Sequence, residues 1–176
     1  MITATTVLQT IATAAKPWAA LYGDSTAISS AVTFFHLAGL LFAGGLAVTS
    51  DRATFRALRG SEEDRSRLLV ELGNSHAWVL RGLTVIFASG ILLALSDVKT
   101  FGPSPIYWTK MSLVALLLVN GLMLRRTEQK LRAGTLLSQP SAPTQRLWTR
   151  LRFAAGASMF LWTAIVLAGV VLVETS

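Results

Sequence analysis

The residues of this sequence that could do chemistry are ionisable side chains inside long apolar stretches. They are His36, Arg81 and Lys110, with His76 near the boundary of such a stretch. An ionisable group is costly inside the hydrocarbon of a membrane, so each one is a candidate functional residue. The sequence contains no Walker loop, no HExxH motif and no Gly-x-Ser-x-Gly motif, and it assigns no catalytic residue.

His36 shares one helical face with three small residues, Gly39, Ala43 and Ala47. A neutral imidazole can bind haem iron, and small neighbours would leave room for a flat macrocycle. This pattern predicts a haem site with His36 as the metal ligand and with Gly39 and Ala43 beside the porphyrin. Small residues at this spacing also let membrane helices pack closely, so the other interpretation is a histidine hydrogen-bonded across a helix contact.

Lys110 begins an apolar stretch that enters the membrane from the same side as the stretch containing His36. We therefore expect the two side chains at similar depth, where the ammonium could pair with a haem propionate or a substrate carboxylate. The other interpretation is a lysine that reaches the headgroups beside Tyr107 and Trp108. Arg81 could bind a propionate or a lipid phosphate.

Two further polar residues have simpler expected roles. His76 and His36 are expected near opposite faces of the bilayer, so they should not bind one iron. His76 would then serve a second cofactor or a quinone, or hydrogen-bond a backbone carbonyl. Asn120 is predicted to bridge two helices.

Four stretches with few charges position these residues. The chain has 176 residues, of which 52% are apolar and 14% charged, and it has no cysteine. A helix needs about 20 residues to cross the hydrocarbon layer. Buried helices of a soluble bundle would show a polar face, and these stretches show none. The sequence predicts an all-α, antiparallel four-helix bundle integral to the membrane, over 27–176, with spans at approximately 27–50, 76–97, 105–125 and 152–174.

The N-terminal segment, 1–26, is predicted to be a separate interfacial helix. Apolar residues between Thr5 and Leu21 recur at near-helical spacing, and Trp18 and Tyr22 suit the level of the headgroups. Pro17 predicts a kink or a break. The other interpretation of this segment is a partly ordered leader.

Basic residues are concentrated in the two connections that would share one side of the membrane. Twelve lie there, against only Lys16 and Lys99 on the other side. This bias predicts a multi-pass protein of the bacterial inner (cytoplasmic) membrane with both termini in the periplasm. Because these residues flank membrane spans, the expected partner is the lipid bilayer and not nucleic acid. They are Arg52, Arg56, Arg59, Arg65 and Arg67, and then Arg125, Arg126, Lys130, Arg132, Arg146, Arg150 and Arg152.

Short motifs within residues 30–135 carry a family resemblance. They include Phe35-His36-Leu37-Ala38-Gly39, Trp78 with Arg81, Ser89-Gly90, and Tyr107-Trp108-Thr109-Lys110. This order resembles the bacterial superfamily of small four-helix membrane proteins that includes CopD-like copper-resistance domains and HemJ-type protoporphyrinogen oxidases. HemJ-type members bind haem b through a first-span histidine and carry a lysine after a tryptophan in the third span. The resemblance implies that these residues are His36 and Lys110.

The leading functional prediction is a haem-b-binding membrane protein with a redox role. That role would be electron transfer or oxidation of a lipophilic or porphyrin-type substrate, and the residues leave open whether the chain is an enzyme. The alternative is a non-enzymatic structural or accessory subunit of a larger membrane complex or homo-oligomer, without its own cofactor. The predicted cofactor-binding residues are His36, which also binds the metal, Lys110, Gly39, Ala43 and Arg81.

Overall fold

The computed structural model describes residues 4–135 and 142–175, which are almost entirely helical and contain no β-strand. The side chain of His76 lies outside the described part, so its role stays a prediction. The helices are α1 (Ala4–Asp24), α2 (Thr26–Ala57), α3 (Glu62–Ser96), α4 (Val98–Phe101), α5 (Pro105–Thr135) and α6 (Ala142–Glu174).

Four of these helices, α2, α3, α5 and α6, are long and apolar enough to cross a membrane. This confirms the prediction of an all-helical bundle with four candidate spans and indicates a multi-pass protein in a lipid bilayer. With 31 to 35 residues each, the helices are about 46–53 Å long at 1.5 Å per residue, whereas the hydrocarbon layer is about 30 Å thick. Each helix therefore continues beyond its predicted span.

The extensions of the four helices meet in one buried cluster. It contains Ala57 from α2, Leu131 from α5, three leucines of α3 and two residues of α6, Trp148 and Leu151. We call the end of the bundle that holds this group the cluster end. The other end carries the connection from Asp97 to Ser104 and is called the opposite end.

Local capping explains where two of the long helices begin. Ser61 precedes α3, and its hydroxyl accepts from the Asp64 amide while the Asp64 carboxylate accepts from the Ser61 amide. This reciprocal pair satisfies two amides of the first turn. At α5, the Ser104 hydroxyl accepts from the Tyr107 amide, and Pro105 occupies the first helical position, which tolerates its missing N–H.

Small residues bring α2 and α3 into close contact. A Cβ atom at Gly82 would lie 2.7 Å from the Cβ atom of Ala43, and one at Gly39 would lie 2.8 Å from Cγ1 of Ile86. A second buried cluster continues from Ala43 and Ala47 to α5 and α6 through Leu117, Leu161, Trp162 and Ile165. Close backbone approach of this kind supplies the van der Waals packing on which membrane helices depend.

The N-terminal helix packs against the bundle. α1 contacts α2, α3 and α4, and the Trp18 indole donates to the carbonyl of Leu92 at 2.8 Å. The helix is continuous through Pro17, so the break that the sequence allowed does not occur. The division of the chain into 1–26 and 27–176 stays a prediction.

The close contact of α2 with α3 predicts that a larger residue at Gly82 destabilises the bundle. The Gly82→Leu side chain must displace Ala43 and its backbone, and overpacking of this kind costs about 1–3 kcal/mol. We expect a lower midpoint of thermal unfolding, measured by circular dichroism in detergent. Gly45→Leu is the control, because a Cβ atom at Gly45 meets nothing within 4 Å. Equal midpoints for the two variants would contradict the close contact.

Candidate functional site

The imidazole of His36 is held by a serine of the neighbouring helix. His36 is half-buried on α2, and its Nδ1 lies 3.0 Å from the Ser89 hydroxyl of α3. That hydroxyl donates to the carbonyl of Val85 at 2.6 Å, which uses its hydrogen. With the hydroxyl hydrogen used in this way, we assign the neutral tautomer in which Nδ1–H donates to Ser89 and Nε2 carries the lone pair, which is the form that binds a metal.

Two glycines lie beside the candidate side chains. A Cβ atom at Gly90 of α3 would lie 3.3 Å from Cε1 of His36, and one at Gly169 of α6 would lie 3.4 Å from Nζ of Lys110. His36 and Lys110 are close enough to interact electrostatically. His36 of α2 and Lys110 of α5 are thus both half-buried, and each packs directly against a glycine of a neighbouring helix.

Lys110 is not neutralised by an acidic side chain within the described residues, where the ion pairs join Arg67 to Glu63 and Arg132 to Glu128. An ammonium in an apolar segment is stabilised by an anion. The surroundings of Lys110 therefore suit a carboxylate or another anionic group supplied from outside the chain.

Gly39 and Ala43 have a different environment from the one the haem hypothesis gave them. Both are buried, and the face of α2 that carries them is covered by Gly82 and Ile86 of α3. The space beside these small residues is filled by a helix of the same chain. This environment fits the alternative interpretation, in which the small residues allow two helices to pack closely.

The structure does not place Arg81 beside His36. It lies on the exposed face of α3, with its guanidinium carbon 4.4 Å from the centroid of the Trp78 ring. Eight residues separate it from Ser89, which is about 12 Å along a helix. The contact is a cation–π interaction on the outer surface of the bundle.

The structure also reveals a polar group that the sequence analysis missed. Asp51 is only 3% exposed, and it borders a cavity of about 350 Å³ lined by residues of α2, α3, α5 and α6. The available signal was its spacing, because Asp51 continues the helical face of Gly39, Ala43 and Ala47 by one more turn. Its position between an apolar stretch and a run of arginines made it resemble an ordinary loop charge.

Asn120 borders the same cavity, and its contact confirms the prediction that it bridges two helices. Its side-chain amide donates to the carbonyl of Ala154 at 2.9 Å and so bridges α5 and α6. Its neighbour Gly121 also lines the cavity, and a Cβ atom there would meet nothing within 4 Å.

Metal-ligating side chains do not cluster in the described ranges, where no group of three or more His, Asp or Glu could hold an ion. His36 would therefore act as a single protein ligand. A lone imidazole fits a metal that brings most of its own ligands, as haem iron does.

Comparisons of the chain with protein-family models, with curated proteins and with solved structures each give no match. The resemblance to CopD-like and HemJ-type proteins stays a prediction that depends on the motifs alone.

Removal of the serine hydroxyl should change the tautomer of His36. In Ser89→Ala the Nδ1–H group loses its acceptor, so we expect a larger fraction of the ring to be protonated on Nε2. Imidazole ¹⁵N chemical shifts of the detergent-solubilised protein measure this fraction, and His76→Gln assigns the signals. Ser112→Ala is the matched control, because its hydroxyl donates to the Trp108 carbonyl on an exposed surface. An unchanged tautomer in Ser89→Ala would contradict the assigned hydrogen bond.

Proposed function

We propose that this chain is a haem-b-binding protein of the bacterial inner membrane with a redox role. That role is electron transfer or oxidation of a lipophilic or porphyrin-type substrate. The observation that carries the proposal is the 3.0 Å contact of His36 Nδ1 with the Ser89 hydroxyl, from which we assign the lone pair to Nε2. Partners that fix the tautomer and the orientation of a histidine in this way are a regular feature of metal sites.

The donor set around His36 fits haem b better than it fits a free metal ion. Porphyrin nitrogens supply four ligands, so one imidazole is sufficient, and bound haem would supply one-electron chemistry at its iron. His36 would hold the iron, and Lys110 would pair with a propionate, since it lacks an acidic partner among the described side chains. His36 and Lys110 pack against Gly90 and Gly169, so haem would lie on the sides of the two groups that face away from these glycines.

Three of the residues that the sequence suggested as haem contacts lie outside the proposed site. Gly39 and Ala43 are occupied by their contact with α3, and Arg81 lies on the outer surface against Trp78. Haem would instead use the side of His36 and Lys110 that does not face this contact. The proposed site therefore depends on the two ionisable residues and on the glycines beside them.

We further propose an antiparallel bundle with both termini in the periplasm. Contacts between α2 and α3 support the antiparallel arrangement, since higher positions on one helix meet lower positions on the other. The contacting pairs are His36 with Ser89, Gly39 with Ile86, Ala43 with Gly82, and Ser50 with Ser75. The concentration of Arg and Lys at the cluster end supports the orientation. In this topology α1 lies at the periplasmic interface, where Trp18 connects it to α3.

A second candidate function is a non-enzymatic accessory subunit without a cofactor. The close packing of Gly39 and Ala43 against α3 favours it, because the small residues then serve helix association alone. Since α3 of the same chain covers the face of α2 that carries Gly39 and Ala43, a partner subunit or a second copy would bind on another face. The accessory function and the haem function differ in one simple property, the colour of the purified protein.

An optical spectrum tests the haem proposal. Protein purified in detergent and supplied with haem should show a Soret band that shifts on reduction. His36→Ala should lose most of this band, and added imidazole should restore it, since it replaces the missing ligand. His76→Ala is the matched control, because the chain has 2 histidines.

Two outcomes of this experiment would contradict the haem proposal. A protein that stays colourless after haem supplementation would favour the accessory function. Loss of the band in His76→Ala, with the band retained in His36→Ala, would show that His76 binds the iron and would contradict the site proposed at His36.

Lys110 should affect the haem without binding the iron. In Lys110→Met the propionate loses its cation, so we expect weaker haem retention or a lower midpoint potential, because less positive charge then stabilises the reduced iron. Redox titration and haem loss during gel filtration measure the two effects. Lys99→Met is the control, because Lys99 is an exposed lysine at the opposite end. If the two variants behave as the parent protein does, Lys110 extends to the headgroups instead.

A further inference from the structure

The cavity beside Asp51 lies nearer the cluster end than His36 does and is separate from the proposed haem site. Its volume of about 350 Å³ falls in the range of small-molecule pockets, about 300–1,000 Å³. Most of its wall is apolar and includes Leu83, Leu117 and Trp162. Neither His36 nor Lys110 lines it. A ligand there would therefore meet an apolar surface with a few polar groups.

One of these polar groups is incompletely paired. The Ser158 hydroxyl lies close to the Asp51 carboxyl, yet Oδ2 of Asp51 is buried and has no hydrogen-bond partner among the described residues. A buried carboxyl oxygen without a partner costs free energy, and the cost is larger if the group is charged. The unpaired oxygen thus requires a donor that the described residues do not supply.

Three polar neighbours in the cavity wall donate to groups other than Asp51. The Ser75 hydroxyl donates to the carbonyl of Leu72, and the Ser50 hydroxyl donates to Ser75. The Asn120 amide donates to Ala154. A group bound in the cavity could therefore donate to the Asp51 carboxyl.

Arg125 is the cation in the cavity wall. Its side chain is exposed, and within 4–135 and 142–175 it forms no ion pair with Asp51. Arg125 could therefore compete with a ligand for the Asp51 carboxylate. An Arg125 variant distinguishes these two partners.

The cavity wall extends to the lipid-facing surface of the bundle. Leu80 of α3 and Leu118 and Leu122 of α5 all line it, and all three are exposed. Contact between α3 and α5 is sparse compared with the α2–α3 and α5–α6 contacts. An amphiphile dissolved in the bilayer could therefore reach Asp51 laterally between these two helices.

We propose that this cavity binds a lipophilic ammonium ion, that is, a protonated amine on an apolar body, whose N–H group donates to Oδ2 of Asp51. The apolar wall suits the body of such a ligand, and the carboxylate suits its charged end. An anionic ligand would be repelled by Asp51. A bound divalent ion would need further oxygen or nitrogen ligands, and the described residues offer no such cluster.

The probe for this proposal is 4-phenylbutylamine, and 4-phenyl-1-butanol is its neutral counterpart. Binding to the full chain in a neutral detergent is measured by equilibrium dialysis. We expect saturable 1:1 binding of the amine and an affinity for the alcohol that is lower by about tenfold or more, as the loss of a charged hydrogen bond implies. Asp51→Asn should reduce amine affinity by a similar factor. Glu62→Gln should not, since that carboxylate is exposed and outside the cavity.

A second pair of variants tests the cavity without changing Asp51. Gly121→Leu adds a side chain in the cavity wall at a position with open space, so it should fill part of the volume and weaken binding of the amine. Gly45→Leu makes the same change on α2 outside the cavity and should leave binding unchanged. These variants keep the test decisive if Asp51→Asn does not fold.

Three results would overturn the proposal. The first is equal binding of the amine by the parent protein and by Asp51→Asn, and the second is equal affinity for amine and alcohol. The third is binding that appears only in Arg125→Gln, because Arg125 would then be the partner of the Asp51 carboxylate in the parent protein. None of these measurements involves haem, so the outcome is independent of the proposed redox function.

Discussion

The hydrocarbon of a membrane offers no hydrogen bonds, and this constraint explains most polar contacts in the chain. Each polar side chain in a spanning helix must find a partner inside the protein. Hydroxyl groups on the outer surface do so by donating to the carbonyl four residues earlier, as in Thr49, Thr84, Ser112 and Thr163. Such residues are polar by type but add no reactive group to the surface. His36 and Asp51 differ from them because each retains an atom that these contacts leave unused.

One face of α2 connects the two unusual residues. On this face, Gly39 and Ala43 allow α3 to approach so closely that a larger side chain at Gly39 would not fit. The next positions on this face are Ala47 and then Asp51, where the close contact gives way to a cavity. The same periodic spacing therefore produces tight packing in the middle of the helix and, toward its end, a largely apolar cavity bordered by a carboxyl group. The difference arises from what the other helices place opposite each position.

Sequence patterns predicted the fold more completely than the site. Long apolar stretches without a polar face are hard to accommodate except in a membrane, so four spanning helices followed directly. Small residues at Gly39 and Ala43 fit both a flat cofactor and a neighbouring helix, and only coordinates show which neighbour is present. Asp51 is acidic and follows an apolar stretch, so its charge indicated a loop. Its burial depends on the helices continuing past the membrane and packing there, which hydropathy does not report.

The interior between the two polar regions determines what kind of function the bundle can support. His36 and Asp51 are 15 residues apart on α2, which is about 22 Å along the helix axis. Between them lies a buried apolar layer that includes Ala43, Leu117 and Ile165. Proton and ion pathways need a chain of polar groups or water across the hydrocarbon. Because this layer is apolar, the described side chains between His36 and Asp51 separate the two polar regions instead of joining them.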